Sequence, residues 1–218
     1  MRVGVLILLV GCSELFGLHS VTPPLDVTPP LDVTDNLVGC RDGSRDGFID
    51  SISQPRIAGC GGAWGQPGLQ VLTPSACLGG GNSDPGDPAP CHAADLCADG
   101  WLLCASSGDV ADHLAAGTDC SSAVSEGLAF FASRQSTSGG FSCAPAPAVN
   151  DIVGCGNFAQ VQAVNPNCAP LDRASGDGCF DLSPTLGAWS CPDGNAEINV
   201  VTKGAKLQGG GVLCCRIP

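Results

Sequence analysis

Cysteine is the residue type that offers this chain the most chemistry. The chain has 218 residues and 15 cysteines, and no two of them are spaced as Cys-x-x-Cys. Dense cysteine without metal-type spacing favours disulfide bonds formed in an oxidising compartment over zinc sites. If Cys12 is set aside, 15 − 1 leaves 14 cysteines, an even number that could all pair. The predicted disulfide framework consists of Cys40, Cys60, Cys77, Cys91, Cys97, Cys104, Cys120, Cys143, Cys155, Cys168, Cys179, Cys191, Cys214 and Cys215.

Two of these cysteines, Cys214 and Cys215, are adjacent in a predicted strand near the end of the chain. Neighbouring residues of a strand point to opposite faces of its sheet. A direct bond between adjacent cysteines would also be geometrically strained. We therefore expect Cys214 and Cys215 to bridge to two different partners.

Catalytic chemistry has little support in the sequence. The chain contains 3 histidines, of which His92 and His113 lie in the cysteine-rich part. His92 adjoins Cys91, and the two would form a reactive pair only if that cysteine were a free thiol. The motifs Gly-x-Ser-x-Gly, Gly-x-x-x-x-Gly-Lys-Ser/Thr and His-Glu-x-x-His are absent. No catalytic residue is predicted, and no enzyme class has positive support.

Calcium is the one cofactor that the side chains suggest. Asn165 and Asn167 flank a proline, and Asp193, Asn195 and Glu197 follow the last tryptophan. Hard cations bind where several such oxygen atoms converge. These five residues form a candidate ligand or calcium loop, and the alternative is a set of solvated loop side chains.

A second acidic stretch, from Asp42 to Asp50, matches the first part of an EF-hand calcium loop. The twelfth position of that loop supplies a bidentate glutamate in EF-hands, but here it is Ser53. This difference favours a polar turn over a calcium site.

Composition bounds the class of protein. The formal net charge is −12, and the chain contains 31 glycines and 17 prolines. Lys203 and Lys206 are the only lysines, so we expect no nucleic-acid partner. The glycine and proline content predicts a loop-rich fold in which crosslinks compensate for limited regular structure.

The amino-terminal segment reads as a secretory signal. An apolar run from Val3 to Val10 follows Arg2 and is too short to span a bilayer. Residues Leu9 to Cys12 resemble a bacterial lipobox, which predicts a signal peptide over residues 1–11 and lipidation of Cys12. The alternative is ordinary cleavage near Ser20, which makes the signal residues 1–20. Both predict a secreted protein, and the first places it on the cell surface or outer membrane through a lipid anchor.

A proline-rich linker over residues 12–39 follows, and it contains the repeat Val-Thr-Pro-Pro-Leu-Asp at residues 21–26 and 27–32. Pro-Pro repeats favour an extended polyproline-like spacer. The cysteine-rich part, residues 40–218, shows no second linker and is predicted to be one domain.

The centre of this domain predicts a helix, a strand and a second helix. Ala93 to Ala98 is rich in helix formers, and Trp101 to Cys104 is a short apolar run. Ser106 begins a weak capping-box pattern for a helix over Asp109 to Ala116.

Further elements follow from short apolar runs. Strands are predicted at Arg56–Cys60, Leu69–Leu72, Ile198–Thr202 and Gly211–Arg216, and a core element at Leu128–Ala132. Loops or turns are predicted at Leu78–Ala89, Gln135–Gly140, Cys143–Asn150 and Cys155–Trp189. Trp64, Trp101 and Trp189 each lie near a cysteine and are expected to pack on disulfides in the core.

Three of these segments together resemble bacterial C-type-lectin-like domains and the related formylglycine-generating-enzyme-like domains. They are Gly100–Leu103 followed by a helix, Trp189–Cys191, and the closing stretch Gly210–Arg216. The resemblance implies an α+β, disulfide-rich, loop-rich fold with two short helices and a few antiparallel strands. It also implies that Cys97, in the first helix, pairs with Cys214 or Cys215, and that Cys191 pairs within the long loop region.

The resemblance leads to a functional expectation. We expect an extracellular or cell-surface binding or adhesion protein with a glycan or protein ligand, which the loops between Cys143 and Gly194 contact. One alternative is a structural envelope or coat protein without a ligand. The other is a thiol-dependent enzyme of the formylglycine-generating type, which would need reduced cysteines.

Overall fold

The computed structural model describes the cysteine-rich part of the chain. The described residues are 38–72, 77, 91–124, 127–138, 143, 149–157, 167–174, 178–179, 189–204 and 209–218. They lie in one compact unit, Thr34–Pro218. The predicted signal segment, Cys12 and nearly all of the linker lie outside the described residues, as does the predicted loop at Leu78–Ala89.

The fold is α+β and consists mainly of strands. Its strands are β1 (Ile57–Gly61), β2 (Trp101–Leu103), β3 (Ala129–Ser136), β4 (Ile152–Asn157), β5 (Asp172–Arg173), β6 (Trp189–Ser190), β7 (Thr202–Lys203) and β8 (Gly209–Arg216). Within the described ranges there are two α-helices, α1 (Ser107–His113) and α2 (Glu197–Val200), and 3-10 turns at Ala93–Leu96 and Cys120–Ala123.

The last strand, β8, lies at the centre of a six-stranded sheet with the order β1-β8-β3-β4-β5. β1 pairs with one side of β8, whereas β3 and β2 pair with successive parts of its other side. The pairing of β3 with β8 is parallel, and the other strand pairs are antiparallel. The expected antiparallel arrangement therefore fails at this one pair.

Both faces of the sheet are buried. Phe130 and Val212 belong to the core on one face, while their neighbours Phe131 and Leu213 belong to the core on the other face. Successive side chains of a strand alternate between faces. A strand covered on both faces therefore needs apolar residues at every position, which is why these strands appear in the sequence as continuous apolar runs.

Glycines let β8 fit between its neighbours. A Cβ atom on Gly211 would lie 2.0 Å from the carbonyl oxygen of Cys60, and one on Gly210 would lie 2.2 Å from that of Phe130. Gly210 also has a φ of +86°, which side-chain-bearing residues rarely adopt. The strand predicted at Gly211–Arg216 therefore begins two residues earlier, at Gly209.

All fourteen cysteines of the predicted framework are paired. The bridges are Cys40–Cys60, Cys77–Cys91, Cys97–Cys214, Cys104–Cys215, Cys120–Cys155, Cys143–Cys168 and Cys179–Cys191. Cys214 and Cys215 have different partners, which confirms the expectation from strand geometry. Cys97 pairs with Cys214, one of the two partners that the resemblance left open, and Cys191 pairs with Cys179, within the loop region that the resemblance implied.

Arg45 holds the first loop of the domain in place. Its guanidinium donates to the carbonyl oxygens of Val38, Phe48, Gln54 and Ile57 at 2.7–3.1 Å. Burial lowers the pKa of Arg45, and the nearby Asp50 carboxylate opposes this change. One cation therefore satisfies three carbonyl groups of the segment that precedes β1 and the carbonyl group of Ile57, the first residue of β1.

Some predicted elements are confirmed and others are wrong. β1, β2 and β8 lie where strands were predicted, and Ser106 caps α1 by accepting a hydrogen bond from the Asp109 N–H. The predicted strand at Ile198–Thr202 is instead α2 followed by β7, with the Val201 N–H donating to the Glu197 carbonyl. Tertiary contacts override the β-propensity of these residues, because the helical turn buries Ile198 completely.

Three further boundaries differ from the prediction. Ala93–Ala98 contains a 3-10 turn that ends at Leu96, so Cys97 lies directly after the helix and not within it. Leu69–Leu72 forms no strand, because the Leu69 N–H donates to the Ile198 carbonyl and not to a sheet neighbour. Strands β3, β4 and β5 occupy parts of the predicted loops at Gln135–Gly140 and Cys155–Trp189.

The bridges from Cys97 and Cys104 to β8 should be energetically coupled. Their sequence separations are 117 and 111 residues. While one bridge is intact, however, the other closes a loop of only about ten residues, because the chain between Cys97 and Cys104 is short and Cys214 and Cys215 are adjacent. Replacing one pair with alanine should therefore cost roughly 2 to 3 kcal/mol, because little chain entropy is released. Replacing both pairs should exceed the sum of the single losses by about 2 kcal/mol, because a long loop is then opened.

Guanidinium unfolding of the three variants measures this coupling. Removing Cys179–Cys191, which closes a separation of 12 residues elsewhere in the chain, is the control and should be additive with either bridge. Additive losses for the two β8 bridges would contradict the prediction.

Candidate functional site

The cysteines of the domain are not available for chemistry. Two groups of side chains have metal-like geometry, Cys77, Cys91 and Asp95 in one group and Cys104, Asp109 and Cys215 in the other. In each group the two cysteines are joined to each other by a disulfide bond. A disulfide sulfur is not a thiolate, which is the form that binds metals and attacks substrates. While these fourteen cysteines are paired, none of them can act as a catalytic thiol or bind a metal as a thiolate.

The histidines have structural surroundings. Cys91 is bonded to Cys77, so the Cys91–His92 pair has no free thiol. His113 lies at the end of α1, where its Nδ1 is 2.7 Å from the Asp109 carbonyl oxygen and its Nε2 is 2.9 Å from that of Arg216. The ring of His113 thereby joins α1 to the end of β8.

The candidate calcium residues differ in their surroundings. Asn165 lies outside the described residues, whereas Asn167, Asp193 and Asn195 are exposed. The Asp193 carboxylate accepts a hydrogen bond of 2.9 Å from the Asn195 N–H, as in a simple turn. Glu197 begins α2 in the protein interior, not on an exposed loop, and its carboxylate accepts a hydrogen bond of 3.0 Å from the Cys179 N–H.

The acidic stretch at Asp42–Asp50 forms local turns. Asp42 accepts from the backbone and hydroxyl of Ser44, Asp46 accepts from the Gly61 N–H, and Asp50 accepts from the following turn. These carboxylates are already used by neighbouring donors, which agrees with the expected polar turn.

The tryptophans lie in the core. Trp64 and Trp189 meet edge to face at 5.4 Å, and their indole N–H groups donate to the Val201 and Gly209 carbonyls. Trp101 is buried too, with the Arg45 guanidinium 5.7 Å from its ring centre. None of the three offers an exposed face on which a sugar ring could stack.

Lys203 is a buried cation beside the tryptophan pair. Its backbone exchanges hydrogen bonds with Trp64, and its Nζ donates to the Gly62 carbonyl at 3.1 Å. Burial lowers the pKa of Lys203 to about 8, and the Asp46 carboxylate opposes this change. Its contacts hold the segment around Trp64 against β7, which is a structural role.

Asp172 is a buried acid on the edge strand β5. Burial raises the pKa of Asp172 to about 6, and the Asp119 carboxylate raises it further, while a hydrogen bond from the Gly156 N–H opposes both. The carboxylate is therefore held in an environment that disfavours its charge at neutral pH.

Two adjoining cavities lie at one end of the sheet. An apolar groove of about 190 Å³ is bordered by Leu72, Trp101, Leu102 and Ile217, with Arg41 and Asp99 among its other lining residues. A basic pocket of about 300 Å³ is lined by Arg56, His113, Arg216, Ile217 and Pro218. Sequence reasoning missed both cavities, because their residues come from distant parts of the chain.

Comparisons with known proteins do not place this chain in a family. No protein-family model matches it, and no solved structure shows significant similarity. Among the helices that the structure describes, none has the length and apolar character needed to cross a membrane.

The Asp172 environment predicts a pH-dependent change in stability. The folded pKa of about 6 lies above the ordinary aspartate value of 3.8, so the native state binds a proton more tightly than the unfolded chain. Asp172 therefore lowers stability as pH rises through this window, and the penalty is complete above it. Asp172→Asn should stabilise the protein at pH 7 by about 1 to 2 kcal/mol, with the gain fading towards pH 4.

Chemical unfolding at several pH values measures this difference. The control is Asp112→Asn, which removes the same charge from an exposed position on α1 and should leave the profile unchanged. An equal gain for Asp172→Asn at pH 4 and pH 7 would contradict the electrostatic account.

Proposed function

We propose that this protein is an extracellular binding module of C-type-lectin-like architecture. In this proposal lipidation at Cys12 anchors it to a membrane surface, and residues 12–39 form the stalk that carries the domain. Its ligand is a glycan or a protein, bound by the loops between Cys143 and Gly194. The disulfide-rich α+β fold supports an extracellular location, because such crosslinks persist in oxidising compartments.

The observation that carries the architecture is the Cys97–Cys214 bridge. It joins the segment after the first 3-10 turn to the closing strand β8, as the resemblance implies. The same closing strand pairs antiparallel with β2, which contains the Trp101–Leu103 part of the motif. Segments that carry the resemblance are thus neighbours in space although about a hundred residues separate them.

The paired cysteines favour a binding function over thiol-dependent catalysis. The fourteen cysteines of the domain are paired, which argues against a thiol-dependent enzyme. The Cys143–Cys168 and Cys179–Cys191 bridges both constrain the proposed ligand loops. Rigid loops lose less conformational entropy when they bind, so crosslinks of this kind raise affinity through preorganisation.

A screen of the oxidised protein on immobilised glycans, with and without a chelator, tests the binding function. We expect saturable binding that falls at least tenfold in Cys179→Ala/Cys191→Ala, because that variant loosens one proposed ligand loop. The Cys40→Ala/Cys60→Ala variant removes a bridge outside these loops and serves as the control. Loss of binding in the chelator would assign a calcium-dependent site.

The second candidate is a structural coat protein, which the seven bridges also favour. It predicts resistance to protease until a reductant is added, and no saturable binding to glycans or proteins. Protease resistance combined with failure to bind in glycan and protein screens would contradict the binding module and support the coat protein.

The lipid anchor is tested at Cys12. Cys12→Ala should release the protein from the membrane fraction into the medium, because a chain with two or more acyl groups is held stably and an unacylated chain is not. Mass spectrometry of the amino-terminal peptide should show the lipid on the unmodified protein. A mature amino terminus near Ser20 without lipid would show ordinary secretion instead.

A further inference from the structure

We propose that the basic pocket and the apolar groove together bind a small amphipathic monoanion, in which a carboxylate is attached to an aliphatic chain. The carboxylate lies between Arg56 and Arg216, and the aliphatic chain passes over Ile217 into the groove beside Leu102. None of the described residues that line the two cavities belongs to the segment from Cys143 to Gly194, so the inference goes beyond the proposed function.

The placement of the two arginines is the first observation. β1 and β8 pair with Ile57 opposite Cys215, and the next pair along the register is Arg56 with Arg216. The Arg216 N–H donates to the Arg56 carbonyl at 2.9 Å, which holds the two residues side by side. Like charges directly opposite each other on neighbouring strands are destabilising, so the pair has no benefit for stability.

The lack of compensating charge is the second observation. The ion pairs found among the described residues involve Arg41, His113 and Arg173, and none involves Arg56 or Arg216. Both residues line the same cavity. In a chain with a formal charge of −12, two neighbouring cations that have no acidic partner among the described residues form a local site for an anion.

The wall between the two cavities is the third observation. Ile217 lines both the basic pocket and the apolar groove and is 48% exposed. In the groove, Leu72 is 40% exposed and Leu102 is 42% exposed. Apolar side chains gathered at one cavity favour an apolar ligand group there, because its burial removes hydrocarbon surface from water.

The charge of the whole protein restricts the ligand to a single anionic group. Two arginines can neutralise one carboxylate, but a polyanion would extend over a surface whose formal charge is −12. Nucleic acids and highly sulfated polymers are therefore disfavoured. A carboxylate suits the guanidinium groups because its two oxygens can accept parallel hydrogen bonds.

His113 has a positioning role at this site. Its Nδ1 lies near the carbonyl and carboxylate oxygens of Asp109, and its Nε2 lies near the Arg216 carbonyl oxygen. The histidine fixes the end of β8 against α1. Arg216 is held in place by this contact and by its backbone bond to Arg56.

Titration of the disulfide-intact protein with acetate, hexanoate and neutral hexanamide, followed by protein NMR at constant ionic strength, tests the proposal. Hexanoate should bind saturably and at least tenfold more tightly than acetate, because its additional methylene groups lie in the groove. Hexanamide should bind at least tenfold more weakly than hexanoate, because it carries no charge. Equal binding of hexanoate and hexanamide, equal binding of hexanoate and acetate, or no saturable binding would overturn the proposal.

Two sets of variants assign the binding to these residues. Arg56→Gln/Arg216→Gln should weaken hexanoate at least tenfold, while Asn157→Asp/Asn199→Asp, which makes the same change in net charge at exposed positions outside both cavities, should not. Leu102→Ser should reduce hexanoate binding to the level of acetate. Hexanoate binding that survives in the arginine variant, or falls equally in the asparagine variant, would also overturn the proposal.

Discussion

The structure depends on the fixing of the last strand, β8, at the centre of the sheet. β8 pairs with β1 on one side and with β3 and β2 on the other, so the strands that precede it in the chain can complete the sheet only after it has been added. Two adjacent disulfides, from Cys97 and Cys104, then hold its carboxyl-terminal half on opposite faces. A parallel contact with β3 brings together residues of large sequence separation, which costs loop entropy that covalent bonds help to offset.

Hydrogen bonds from a few polar side chains help a chain with little regular structure to keep a buried interior. Arg45 satisfies carbonyl groups of the first loop, Lys203 satisfies one near the tryptophan pair, and Glu197 accepts a hydrogen bond from Cys179. Buried charges are costly unless such partners are present. These polar side chains supply hydrogen bonds to backbone groups that helices and longer strands would otherwise satisfy.

The disulfide bonds determine which side chains of this domain are available for chemistry. Disulfide-closed cysteines leave no thiol in the domain, so the reactive residue type that dominates the composition has a structural role. Two cavities lie at the end of β1 and β8. The basic pocket depends on the sheet itself, because the register between these two strands sets Arg56 beside Arg216.

The sequence by itself determined the disulfide class, the strands β1, β2 and β8, the capping of α1 by Ser106, and the separate partners of Cys214 and Cys215. These features depend on local spacing and on the alternation of side chains along a strand. Only the tertiary structure decided that Ile198 lies in a helix, that β3 runs parallel to β8, that Glu197 is buried, and that two distant arginines share a pocket. Such outcomes depend on which segments meet across the sheet, and neither propensity nor spacing along the chain encodes that information.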